Sequence, residues 1–132
     1  MAETSPPPDA RFNVGDLRQL AALCCDSTQR FFGIALDFSP ASLSVADRLI
    51  SQALEVPEPS LGMILPWGAY LGEVAVRHLG ARWVPHDNVL HTAVAAGERT
   101  LRPFRRAAQR LSGGPAYSLE AAYQELAGRR DE

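Results

Sequence analysis

The sequence contains no lysine: all 13 basic side chains are arginine, set against 15 aspartates and glutamates. An all-arginine set suits bidentate contacts to carboxylates or phosphates, and a biased genomic composition produces the same set, so the absence alone names no partner. Cysteine is almost as scarce. Cys24 and Cys25 are adjacent in the chain, which excludes the loop-closing bridge of small secreted domains and the two-residue gap of a CxxC redox pair. Both are expected as reduced thiols. No apolar run approaches the roughly 18 residues a membrane span requires. The opening MAETSPPPDA has neither the basic head nor the apolar centre of a secretory signal, so a cytoplasmic protein with no membrane partner is expected. There is no GxSxG elbow, no Walker-type loop and no cysteine with an arguable histidine partner, so no motif announces a reaction or a cofactor.

What is present describes an ordinary globular chain, 46% hydrophobic and 21% charged over 132 residues, long enough to bury about two thirds of its unfolded surface. Three consecutive prolines with small polar neighbours predict a disordered tail over residues 1–12, one domain over 13–128 and a frayed charged end at 129–132.

The most apolar stretch is Leu61 to Trp83. On a helical wheel, Leu61, Ile64, Leu65, Gly68, Leu71, Gly72, Ala75 and Leu79 share one face, and Met63, Trp67, Val74 and His78 an adjoining one. Only the sector of Gly62, Pro66, Tyr70, Glu73 and Arg77 is left for water. Such a helix is central and packed on more than one side. Gly68 and Gly72, one turn apart, invite close approach of another element, and Gly80 is the expected stop.

Before it, a first helix ends near Phe32, with Val14, Leu17, Leu20, Ala21, Cys24, Thr28 and Phe31 on its inner face. Residues 33–38, GIALDF, read as an edge strand or an extended lead-in. Ser39-Pro40 opens a second helix that runs to about Leu54. After Gly80 the period changes to two. Arg82–Val84, Val89–Ala95 and Arg99–Leu101 read as a three-stranded antiparallel meander. Pro103 then starts a helix with Phe104, Ala107, Ala108 and Leu111 inward, and Ser118 caps a last one. The expected fold class is α+β: about five helices packed on a small antiparallel sheet, with Leu61 to Leu79 at the centre.

The run Gly68-x-Tyr70-x-Gly72-Glu73, then Gly80-x-x-Trp83, followed by a hairpin, Pro103-Phe104, a Gly-Gly break and Ser118-Leu119 with Tyr123, resembles a group of small uncharacterised bacterial cytoplasmic proteins. The likeness covers roughly Phe38 to Leu126. It implies a compact α+β domain and carries over no catalytic residue.

Two sets of residues are candidates for function. Tyr70, Glu73, Arg77, Arg82 and Trp83 are expected to line a polar, aromatic-walled cleft, with Glu73 as an acid or base and Arg82 as an anion clamp. A carboxylate in a helix buried all round must be paired or held neutral; yet Arg77, four residues on, favours an ordinary exposed pair. The second set is a basic surface of Arg102, Arg105, Arg106 and Arg110, with Arg99 near it. Between Arg77 and Ser112 seven arginines face two acids, a local balance of +5, which suits an acidic protein face better than nucleic acid, since no aromatic interleaving accompanies it. The spacing of His78, His86 and His91 fits no familiar zinc motif, so no metal site is expected. A non-catalytic interaction or regulatory module that binds another protein is the leading functional expectation; a small-molecule or anion-binding domain, conceivably an enzyme using Glu73, is the alternative.

Overall fold

Leu61–Leu79 folds as one continuous helix although Pro66 interrupts its hydrogen-bond ladder. Proline inside a helix removes one bond and crowds the turn before it, so packing must hold the segment together. In the computed structural model, which describes residues 14–53 and 58–128, every residue from Gly68 to Ala75 is buried. Gly80 adopts the left-handed conformation, φ 67°, and its N–H bonds to the Ala75 carbonyl, ending the helix where the sequence places the stop.

The elements follow in the order α1 (Val14–Phe32), α2 (Ser42–Ala53), α3 (Leu61–Leu79), β1 (Arg82–Val84), a 3-10 turn (Val89–His91), β2 (Ala93–Ala96), β3 (Arg99–Leu101), α4 (Pro103–Gly113), a second 3-10 turn (Pro115–Tyr117) and α5 (Leu119–Leu126). The fold is α+β. The strands form an antiparallel meander in the order β1-β2-β3, with Trp83 opposite Val94 and Val94 opposite Leu101. Helices α1 and α4 flank α3 most extensively, and the sheet and α5 also lie against it.

The glycines of α3 explain how its neighbours come so close. A Cβ on Gly68 would sit 2.4 Å from Phe104 Cδ1 and 2.8 Å from Phe104 Cα, so the backbone of α4 occupies that space. A Cβ on Gly72 would meet the Trp83 ring at 2.0 Å. Each glycine costs about 1 kcal/mol of helix propensity. The burial of Phe104 (0% exposed) and Trp83 (8%) against them offsets that cost.

Several sequence expectations are corrected. Tyr70 and Glu73, assigned to the watery sector of α3, are 0% and 2% exposed, because Phe38 and Trp83 close over that sector from outside the helix. Leu61 and Phe31, assigned inward, are 52% and 76% exposed. Among the described residues, the last turns of α1 and the first turns of α3 line an open groove there, and these side chains stand at its rim rather than in the core. Of the two readings left open for GIALDF, the edge strand is the one that fails: residues 33–38 form a lead-in without strand pairing. Helix α2 begins at Ser42 rather than at Pro40, since Ser42, Leu43 and Ser44 first make tight i→i+3 bonds back to Ser39, Pro40 and Ala41. Strand β2 starts only at Ala93, because the Asn88 side chain accepts from the Leu90 N–H and winds 89–91 into a turn. The expected tails at 1–12 and 129–132 and the expected end of the second helix at Leu54 lie outside the described residues.

Candidate functional site

Tyr70, Glu73 and Arg77 follow one another at helical spacing along α3, so one face of the helix carries all three. The lead-in after α1 brings Phe38 over this face, and β1 brings Trp83. Trp83 Nε1–H donates to Glu73 Oε2 at 2.8 Å, and Arg77 Nε lies 3.7 Å from Glu73 Oε1. Both carboxylate oxygens are therefore engaged, one by a buried donor and one by a half-exposed guanidinium. Arg77 Cζ also sits 3.7 Å above the centroid of Phe38, whose other face stacks on Tyr70 at 4.8 Å.

Phe38 holds an unusual backbone for a bulky residue, φ 62°, which costs on the order of 1–3 kcal/mol. Its two ring contacts and the 2.9 Å bond from its N–H to the Tyr70 hydroxyl hold it there. The same hydroxyl shares a 2.5 Å hydrogen bond with Ser42 Oγ. Burial raises the Tyr70 pKa, with the bonds to Ser42 and Phe38 pulling it back. The phenol is thus neutral at ordinary pH and ties α2, the lead-in and α3 together.

The group is a seam of side chains that satisfy one another, not a cleft. Trp83 fills the notch at Gly72 and stacks on Phe104 at 5.9 Å. Arg82 is not part of the seam: strand alternation buries Trp83 and exposes Arg82 and Val84. The cysteines nearby are not activated. Burial pushes the Cys24 thiol far above its usual range, and burial also raises Cys25 despite the opposing field of Arg77.

The expected basic surface divides. Arg110 is 2% exposed, not on the surface. Its Nε bonds Asp47 Oδ1 at 3.0 Å and its Nη2 the Asp47 carbonyl at 2.8 Å, with Ser51 Oγ beside it. Asp47 also accepts from Ser118 Oγ and from the Leu119 and Glu120 N–H groups, so one carboxylate pairs a buried cation and caps the start of α5. Arg106 is half-buried and bonds the Tyr117 and Ser118 carbonyls through Nε. Arg102 and Arg105 remain exposed and, with Thr100, Leu101, Arg106 and Gln109, line an open groove of about 360 Å³.

A second groove, about 240 Å³, lies between the C-terminal half of α1 and the first turns of α3. Cys24, Thr28, Phe31, Phe32, Met63 and Trp67 are among its walls. Phe31, Phe32, Leu61 and Met63 are 76%, 46%, 52% and 37% exposed. The sequence held one signal for it: Phe31 and Phe32 are adjacent, hence about 100° apart on a helix, and a narrow inward stripe cannot hold both. His86 and His91 meet edge to face at 5.1 Å. No group of three or more His, Cys, Asp or Glu is placed to hold a metal ion among the described residues.

No protein-family model, no curated protein and no solved structure matches the chain.

Proposed function

We propose that the protein is a non-catalytic protein-interaction module of the bacterial cytoplasm that receives an apolar segment of a partner protein in the groove between α1 and α3. The setting comes from the resemblance of its central motif. The observation that carries the reading is Phe31, three-quarters exposed at the rim of an aromatic-lined groove. Covering one such ring contributes about 1.5–3 kcal/mol, and clustered aromatic and methionine side chains are typical of the centres of protein interfaces. The alternative built on Glu73 as acid or base has less support, since both its oxygens are engaged and the residue is 2% exposed.

The test is affinity capture with the full chain and a Phe31→Ala/Phe32→Ala variant. A discrete partner retained by the native chain and lost by the variant, with the thermal midpoint within a few degrees, is the expected result. Equal capture by both sinks the groove as the docking site.

A further inference from the structure

We infer that the groove between β3 and the start of α4 is a second docking site, built for an acidic segment of a partner protein. It uses a different surface from the apolar groove and stands or falls separately.

Between Arg99 and Leu119 the chain has five arginines and no acid. The fold removes two of them from consideration. Arg110 is neutralised inside the molecule by Asp47, and the Arg99 guanidinium lies against Gly128 at the end of α5. The other three, Arg102, Arg105 and Arg106, come together along one groove. Arg106 is already oriented, its Nε fixed by two carbonyls. Arg102 and Arg105 have no ion-pair partner among the described residues.

Their place on the helix is the second observation. Arg102 is the N-cap residue of α4, and Arg105 and Arg106 follow in its first turns, where there is no acidic residue at all. A helix N-terminus carries partial positive charge, so three cations there oppose the macrodipole and one another. Local conflicts of this kind are expected at functional sites, and no acidic side chain among the described residues pairs with Arg102 or Arg105. An arriving anion relieves both repulsions at once.

The form of the groove selects among anions. It is open and shallow, whereas small-molecule sites enclose most of their ligand. A nucleic acid needs a longer basic track, and outside residues 77–112 six arginines face 13 acids, a balance of −7 that repels an extended polyanion. A short run of carboxylates meets only the three guanidiniums, whose planar forks suit bidentate pairing.

The experiment is a nitrogen-15 NMR titration of the full chain with an Asp/Glu-rich decapeptide, in parallel with its Asn/Gln counterpart, inorganic phosphate and a single-stranded oligonucleotide. Shifts confined to residues 99–109, at least tenfold weaker binding by Arg102→Ala/Arg105→Ala, and no change in Arg18→Ala/Arg48→Ala or Phe31→Ala are expected. The double variant should keep or raise its thermal midpoint, because it removes like charges from a helix start. Equal binding of the neutral peptide, tighter binding of phosphate or oligonucleotide, unchanged affinity in the double variant, or a lowered midpoint overturns the inference.

Discussion

At the scale of single residues, Glu73 acts on this structure through Trp83. The indole N–H is buried and Glu73 is its acceptor; a buried donor left without one costs about 1–3 kcal/mol. Glu73→Ala removes that acceptor and opens a void beneath the ring, so a loss of about 2–4 kcal/mol is expected. Glu73→Gln keeps an oxygen for the indole and gives up mainly the attraction of Arg77, whose side chain is 50% exposed and therefore worth less than about 1 kcal/mol. Urea unfolding of the two variants checks this order. A glutamine variant as unstable as the alanine one would show that the charge, not the hydrogen bond, matters.

At the scale of elements, α3 is a helix whose poor intrinsic propensity is set by what packs on it. Alanine at Gly68 gains about 1 kcal/mol of propensity, yet its Cβ would overlap the α4 backbone at Phe104. Backbone cannot swing aside as a side-chain tip can, so overpacking of about 1–3 kcal/mol or more outweighs the gain. Gly62 is the internal control, for a Cβ there meets only Ser60 Oγ at 3.6 Å. Gly62→Ala should stabilise by about 0.5 kcal/mol, and Gly68→Ala should destabilise. Thermal unfolding of both decides it, and a stable Gly68→Ala protein would contradict the close approach of α3 and α4. Most of this element was legible in the chain. The bounds Leu61–Leu79, the glycine notches and the stop at Gly80 all follow from local periodicity and backbone chemistry.

At the scale of the whole molecule, Asp47 joins α2, α4 and α5 through Arg110 and the α5 N-terminus. Removing one member of a buried pair strands the other charge, at about 3–5 kcal/mol. Asp47→Ala is expected to lose that much or slightly more, since the α5 cap goes with it. Adding Arg110→Met should restore part of the loss, as a well-packed apolar side chain replaces a buried cation at little cost. A double-mutant cycle by denaturant unfolding measures the coupling, and additive losses would show that the two side chains act independently. None of this was readable beforehand. On the α4 wheel Arg110 belongs with Arg102 and Arg106, and its partner stands 63 residues away.

The order of helices and strands, the meander after Gly80 and the central place of α3 were determined by the amino-acid sequence itself, because each rests on periodicity within about 20 residues or on a proline, glycine or capping side chain at an element's end. Tertiary structure alone decided which polar faces meet water. Trp83 covers Glu73, Phe38 covers Tyr70 and Asp47 claims Arg110, while Phe31 is left outside. A helical pattern states which side is apolar; what arrives against the other side depends on distant chain, and so does the surface left to receive a partner.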